Sequence, residues 1–281
     1  MDQTLQQNPL KNYFRQVKMY LTLPSGTTYY PTGSIKFTDK GELGILPMTG
    51  QDELTLKNPD ALLNGEALVD VIRSCVPAVT NPRILLTNDI DALITAIRYA
   101  TYDDSLETSL KCPKCKHDNT FKLDLEYALD HMEYLEPEYV VNLNSGLSVF
   151  VKPYSFPEII QGLHAQFEQS KFQRAFESET LTDEGKSEIF KKVFIDLTKL
   201  SVDLMGKSIV KVVDESQGIN VTERSFIFEF IKNIDRGSAD KIQKLITEIN
   251  EIGIKRTFTA KCEKCEHEWE NEIDFNPVNF S

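Results

Sequence analysis

Four of the five cysteines in this sequence form two pairs whose spacing is typical of metal ligands. Cys112 and Cys115 make one C-x-x-C motif, and Cys262 and Cys265 make the other. Two residues between cysteines let one tight turn direct both thiolates at a single ion. The fifth cysteine, Cys75, has no local base to activate it, and we interpret it as a buried structural thiol.

The residues around the two motifs form an internal repeat. Residues 112–118 (CPKCKHD) match residues 262–268 (CEKCEHE), and strand-like segments flank each copy. Each copy therefore predicts a zinc knuckle, in which the C-x-x-C turn joins two strands. One knuckle supplies two ligands and a closed tetrahedral site needs four, so we predict one structural Zn²⁺ bound by all four cysteines. Iron is bound by the same ligand set, and the spacing does not separate the two metals.

The distance between the motifs departs from an ordinary zinc ribbon. About 15–20 residues usually separate the two pairs, whereas residues 116–261 separate them here. We therefore predict a ribbon split by a helical insertion, with halves that meet in space. Two separate two-cysteine sites or metal-bridged oligomers are the structural alternatives. A thioredoxin-like redox motif is disfavoured, because such a motif begins a helix and residues 118–125 look extended.

Two histidines follow the motifs at equivalent positions. His117 and His267 would make six candidate ligands for four positions, so we expect them beside the metal site or at the surface. Trp269, the single tryptophan, is expected to pack against its own knuckle.

The pattern of strand-like and helical segments around these cysteines predicts a fold of the α+β class. Residues 1–57 read as a β-rich N-terminal region, with a hairpin between residues 34–38 and 44–48. Residues 58–110 read as a helical segment that leads to the first knuckle. The split ribbon takes residues 111–125 and 254–281, and residues 126–253 form a mainly helical insertion.

Polar residues before apolar-periodic segments predict where several helices begin. Asn58 is the predicted cap of a helix that has Pro59 at its first position and contains Gly65, and Asn88 is the predicted cap of the next. Thr222 and Ser238 are the predicted caps of two later helices.

Charge and motif content narrow the class of function. The chain has 31 basic and 43 acidic residues, a net charge of −12, which opposes binding to nucleic acid or to an anionic membrane. The N-terminus lacks the basic and apolar regions of a signal peptide and no apolar run is long enough to span a membrane, so we expect a cytoplasmic product. Phosphate-binding, dinucleotide-binding and hydrolase motifs are absent from the sequence, so we expect a non-enzyme.

Several segments resemble the T4-type baseplate protein family of contractile-tailed phages. The similarity is dense over residues 18–125 and returns at the second knuckle. The segments that carry it are 20–26 (YLTLPSG), Tyr30-Pro31, 47–49 (PMT), 57–67 (KNPDALLNGEA), 74–77 (SCVP), 89–93 (DIDAL), 96–98 (AIR), 100–102 (ATY) and 112–115 (CPKC).

This resemblance implies a role in phage assembly at the baseplate hub. The protein would be a hub component or an assembly chaperone, with other tail proteins as partners and with Cys112, Cys115, Cys262 and Cys265 as the knuckle cysteines. It would occur in the host cytoplasm during assembly and in the tail baseplate if it stays in the virion. The family brings no catalytic residues. The alternative is a zinc-ribbon regulator that binds nucleic acid, which the acidic second knuckle disfavours.

Overall fold

A computed structural model of the chain describes residues 8–58, 61, 64–102, 105–144, 146–177 and 183–272. The described chain is of the α+β class, with antiparallel strand pairs distributed among helices. The helices are α1 (Gly50–Leu56), α2 (Glu66–Cys75), α3 (Thr87–Tyr102), α4 (Leu125–Asp130), α5 (Phe156–Glu177), α6 (Asp183–Ser208), α7 (Arg224–Asn233) and α8 (Arg236–Glu251).

The strands are short and all their pairings are antiparallel. They are β1 (Met19–Leu21), β2 (Leu43–Ile45), β3 (Ser105–Lys111), β4 (Asp118–Asp124), β5 (Tyr139–Asn142), β6 (Ser148–Val151), β7 (Ile209–Asp214), β8 (Ile219–Val221), β9 (Thr257–Lys261) and β10 (Glu268–Glu272). β1 pairs with β2, β3 with β4 and β9 with β10, and a four-stranded sheet has the order β5-β6-β7-β8. This sheet lies within the 126–253 segment, alongside its helices.

The hairpin predicted between residues 34–38 and 44–48 is wrong. The turn itself forms, since Thr38 N–H donates to the carbonyl of Glu42 at 2.9 Å. The strand that follows, β2, pairs with β1, and Ile35 makes an isolated bridge with Val79. The strand predicted at residues 44–48 does form in part, as β2, but it pairs with β1 and not with residues 34–38.

Two apolar cores form the interior of the described chain. The first packs α2 and α3 against β1 and β2, and Ile254 joins it from beyond α8. Full burial of each large apolar side chain contributes about 1.5–3 kcal/mol relative to exposure. Its fully buried members include Leu23, Leu43, Ile45, Ile72, Leu85, Leu93, Ile97, Leu125 and Phe156.

The second core lies between the four-stranded sheet and the helices that follow it. Val149 and Ile209 contribute from the sheet, and Ile227 and Ile242 contribute from α7 and α8. The apolar stripe of α8 recurs at Ile242, Ile246 and Ile249, so one face of the helix is buried. The segment between the two cysteine motifs thus has an interior of its own.

Asn88 does not cap a helix as predicted. It lies within the first turn of α3, which begins at Thr87, and its side chain is buried. Its amide nitrogen donates to the carbonyls of Ile249 and Ile252, at 2.8 and 2.6 Å. Asn88 therefore satisfies carbonyls at the C-terminal end of α8 that have no partner inside that helix. These two bonds join the two core regions.

Gly65 lies at the start of a helix and not inside one. It precedes α2 with φ +76°, a left-handed conformation that glycine adopts at little cost. A Cβ there would overlap Ile160 and lie 2.7 Å from Cζ of Phe156. Gly65 therefore lets α5 pack closely on the start of α2. The predicted first turn at Pro59 lies outside the described residues.

The caps of the last two helices are shifted from their predicted positions. α7 begins after Glu223 and not after Thr222. α8 is capped by Asp235, whose carboxylate accepts a hydrogen bond from the Ser238 N–H at 3.0 Å. Ser238 is thus the third residue of this helix, and its N–H is capped by Asp235, the residue that precedes the helix. Within the described residues, no helix has the length and hydropathy needed to cross a membrane.

Candidate metal centre

The first cysteine pair lies in the turn between β3 and β4, which pair from Ser105–Asp124 to Lys111–Asp118. Cys112 N–H donates to the carbonyl of His117 at 2.9 Å, and Lys116 N–H donates to the carbonyl of Cys112 at 3.0 Å. Lys116 has φ +59°, which reverses the chain after the second cysteine. These contacts close a compact turn that places both sulfurs on one side.

The second cysteine pair repeats this turn in the same bonds. Cys262 N–H donates to the carbonyl of His267 at 2.9 Å, and Glu266 N–H donates to the carbonyl of Cys262 at 2.9 Å. Glu266 has φ +55°, equivalent to Lys116. The flanking strands β9 and β10 pair from Thr257–Glu272 to Lys261–Glu268. The sequence repeat is therefore also a structural repeat.

The two turns face each other and bring the four sulfurs into one cluster. Sγ of Cys112 lies 3.7 Å from Sγ of Cys265, and Sγ of Cys115 lies 3.6 Å from Sγ of Cys262. All four sulfurs lie within 4.8 Å of one another. Four sulfurs at 2.3 Å from a central ion are about 3.8 Å apart in a tetrahedron, so the observed spacing fits such a site. These distances are too long for disulfides, whose sulfurs are about 2.05 Å apart.

Backbone donors favour the thiolate form at the first cysteine of each turn. Burial opposes ionisation of Cys112, but the N–H groups of Cys115 and Lys114 hold its pKa below the ordinary value. Burial also opposes ionisation of Cys262, and the equivalent N–H groups of Cys265 and Lys264 lower its pKa to about 6. Both turns therefore supply the ligand form that a metal ion requires.

The pKa of Cys265 indicates why this cluster of sulfurs favours a cation. The N–H of His267 lowers its pKa, but burial and hydrogen bonds with the other three sulfurs raise that pKa to about 12. A further thiolate beside the existing ones is unfavourable because like charges repel. A divalent cation would remove this penalty, so the donor set fits a metal ion.

A buried amide joins the two knuckles directly. Asn119, 2% exposed, lies on β4 just after the first turn. Its side-chain oxygen accepts a hydrogen bond from the Glu263 N–H at 3.0 Å, inside the second C-x-x-C turn. Its side-chain nitrogen donates to the carbonyl of His117 at 3.0 Å. Asn119 therefore sets the position of one turn against the other.

An aromatic contact joins the knuckles on their flanking strands. Phe121 on β4 meets Phe258 on β9 and Trp269 on β10 edge to face, with ring centroids 5.6 and 6.0 Å apart. Trp269 also stacks on His267 with centroids 6.1 Å apart. The prediction that Trp269 packs against its own knuckle was thus incomplete, since it also packs on the first one.

A comparison with family models identifies the chain. The family described as "T4 bacteriophage base plate protein" matches residues 18–280. The chain belongs to this family. The matched range includes both knuckles and almost all of the described chain. Searches of curated proteins and of solved structures gave no match.

The histidines of this base plate protein are outside the sulfur cluster. Among the described residues, the group that could hold a metal consists of the four cysteines alone. His117 and His267 take part through their carbonyls, which accept the turn-closing bonds from Cys112 and Cys262. This arrangement agrees with their expected places beside the site.

Cys75 of the base plate protein is buried, but it does have a basic neighbour. Nη1 of Arg15 lies 3.7 Å from its sulfur and 3.2 Å from Oδ2 of Asp52. Burial raises the pKa of Cys75 to about 11, and Asp52 adds to the rise while Arg15 opposes it. The thiol therefore stays protonated at neutral pH, as a structural cysteine should.

Several site residues of the base plate protein were missed in the sequence. Asn119 and Phe121 carry the contacts between the knuckles, and Arg256 forms an ion pair with Asp91 at the base of β9. The alternation of buried and exposed positions along β4 was the available signal for Asn119. No pattern in the sequence indicated the Arg256–Asp91 ion pair, because the two residues are far apart along the chain.

Proposed function

We propose that Cys112, Cys115, Cys262 and Cys265 hold one structural Zn²⁺, which fixes the second knuckle to the first. The supporting observation is the single cluster of four sulfurs, with a spacing suited to a tetrahedral ion. Four thiolates leave no open position, and a closed site is structural rather than catalytic. Because the proposed site is closed, we also propose that the protein is not an enzyme.

We further propose that the protein acts in assembly of the baseplate hub, as a hub component or as an assembly chaperone. Membership of the base plate family supports a baseplate-associated role. The partners would be other tail proteins, met in the host cytoplasm during assembly. The zinc site would hold the two knuckles together, so that the protein presents one rigid surface to those partners.

The same proposal excludes nucleic acid as a partner. The net charge of −12 opposes phosphate binding. The second knuckle has acidic residues at 263, 266, 268, 270 and 272 and a single lysine, Lys264, within its turn. A gel-shift titration with single- and double-stranded DNA and with RNA checks this point. Binding at physiological salt would favour the regulator alternative.

The metal is tested by elemental analysis of the purified full-length protein. We expect one zinc per chain, with no iron and no visible absorption. Strong chelation should remove the zinc and lower the melting temperature. Cys75→Ala is the matched control, because it removes a thiol outside the cluster and should leave the zinc content unchanged. A metal-free protein that is unaffected by chelator would overturn the zinc proposal.

The assembly role is tested by quantitative mass spectrometry of purified mature virions and of infected cells. A small, fixed copy number per virion would identify a hub component. Abundance in infected cells with absence from virions would identify an assembly chaperone. Both results fit the proposal, and they separate its two forms. Normal baseplates in phage that lack the protein would contradict it.

A further inference from the structure

A groove runs between α6 and α7, and none of its lining residues belongs to either knuckle. It encloses about 390 Å³ and is lined by Thr198, Lys199, Val202, Asp203, Phe228 and Lys232. Four of these residues lie on α6 and two lie on α7. A volume of this size lies within the range of ligand and peptide pockets.

Close packing of the two helices forms one end of the groove. Gly206 on α6 is buried, and a Cβ there would overlap Phe228 and lie 2.7 Å from its Cδ1. The missing side chain therefore lets the Phe228 ring lie directly on α6. Val202, one turn earlier, is half-buried beside it. Together these residues give the groove an apolar floor.

The apolar surface continues along α6 beyond the groove. Ile195 is 49% exposed and lies one turn before Lys199. Ile195, Lys199 and Val202 follow one another at i, i+4 and i+7, so they share one face of the helix. An exposed isoleucine in line with a half-buried valine gives the groove the length of about two helical turns.

The margins of the groove are basic in an otherwise acidic protein. Lys199 on one side and Lys232 on the other are both exposed, and neither forms an ion pair among the described residues. The carboxylate in the lining, Asp203, is already paired with Lys207 at 2.7 Å. One lysine without an ion pair among the described residues thus lies on each side of an apolar floor, in a protein whose net charge is −12.

We propose that this groove binds an acidic amphipathic helix of another base plate protein. An apolar helix face fits a floor between two helices, and acidic residues flanking that face would meet Lys199 and Lys232. A second copy of this chain is a poorer occupant, because two chains of charge −12 repel each other. The proposal depends neither on zinc nor on the hub role.

The charge requirement is tested by binding of synthetic peptides to the full-length protein. The probe is a labelled 18-residue helix with leucine on one face and glutamate elsewhere, and its control has glutamine in place of glutamate. We expect the acidic peptide to bind more tightly. K199E/K232E should weaken its binding at least about fivefold, because two exposed ion pairs are lost and the reversed charges repel the glutamates.

K40E/K255E is the matched control, since it changes the net charge equally at exposed lysines outside the groove. It should alter binding by less than about twofold, because exposed charges beyond a Debye length are screened. Circular dichroism checks that both variants fold. Equal binding of the glutamate and glutamine peptides, or equal loss in the two double variants, would overturn the proposal.

The natural occupant is tested by photo-crosslinking in infected cells, with benzoylphenylalanine replacing Thr198 at the groove. We expect cross-links to a tail-protein segment that carries acidic residues around an apolar helical stripe. A cross-link to a second copy of this chain, to a basic segment, or to no protein would overturn the proposal. None of these results bears on zinc content, so this test is separate from that of the metal site.

Discussion

The two knuckles share one local design but are held in the protein differently. Both have the same turn-closing bonds, and both place a residue with positive φ after the second cysteine. Both also carry an ion pair across the strands next to the turn, Lys111 with Asp118 and Lys261 with Glu268. The turn and its flanking pair are thus determined by the repeated sequence.

The difference lies in what surrounds each hairpin. The first has seven paired positions, and Leu106 and Leu123 extend it into the first core. The second has five paired positions within the residues described, up to residue 272, and its contacts beyond the turn include Asn119 and Phe121 of the first knuckle. The first knuckle therefore contributes buried residues to the first core, whereas the second contacts that core only through the partly buried Phe258 and otherwise rests on the first knuckle and the proposed metal. This asymmetry predicts which half is released when a contact is removed.

Removal of a metal ligand should affect the two knuckles most unequally. Cys262→Ser is expected to lose zinc and to lower the free energy of unfolding by at least about 3 kcal/mol, since structural zinc binding is on the order of 10 kcal/mol in small domains. Amide hydrogen exchange should rise far more in β9–β10 than in β3–β4. Cys75→Ala should retain the zinc. An equal rise in both hairpins would contradict the asymmetry.

Removal of the tryptophan should have the next largest effect. Trp269→Ala loses the edge contact with Phe121 and the stack on His267, and we expect a loss of about 2 kcal/mol. Trp269→Phe should retain most of this stability. Tyr134→Ala, at an aromatic residue that is 55% exposed, is the control and should cost under about 0.5 kcal/mol. Chemical denaturation measures all three, and equal effects of Trp269→Ala and Tyr134→Ala would refute the role of this contact.

Substitutions of Asn119 test the hydrogen bond between the knuckles separately from the hydrogen bond within the first turn. Asn119→Ala removes the hydrogen bonds to Glu263 and His117 and should cost about 1–2 kcal/mol, because the part-buried Glu263 N–H loses its partner. Asn119→Asp keeps an acceptor for that N–H but loses the donor to the His117 carbonyl. We therefore expect an intermediate loss, and a Glu263 amide resonance that shifts in the alanine variant alone. Identical spectra for the two variants would show that this bond is not formed in solution.

The repeat explains why the metal cluster could be predicted and the asymmetry could not. The matching residues of segments 112–118 and 262–268 indicated two equivalent turns, and the turns are equivalent. The alignment places Asn119 opposite Trp269, so the sequence itself marks a difference there. Which surface each side chain meets depends on how the two hairpins pack, and that is decided by contacts across more than 140 residues.

The errors in the helical segments have a similar cause. Asparagine is a residue type that often caps helices, but the side-chain amide of Asn88 instead donates hydrogen bonds to carbonyls at the end of α8, far along the chain. Arg15 lies in an irregular segment, yet its guanidinium donates to the Ser74 carbonyl at 2.8 Å and approaches Cys75. Local pattern predicts where periodic apolar faces occur, as in α3 and α8. It does not predict which distant polar group completes a buried hydrogen bond.

Removal of either of the two equivalent ion pairs should have the smallest effect, and the same effect in both knuckles. Lys111 and Lys261 each lie 3.6 Å from an acidic partner in the same place of the repeat, and both pairs are exposed. Lys111→Ala and Lys261→Ala should each cost under about 0.5 kcal/mol, because solvent and salt screen such pairs. Denaturation curves at low and high salt measure this, and we expect the two variants to match. A loss above about 1 kcal/mol at Lys261 alone would mean that surface charge, and not Asn119 and Trp269, distinguishes the second knuckle from the first.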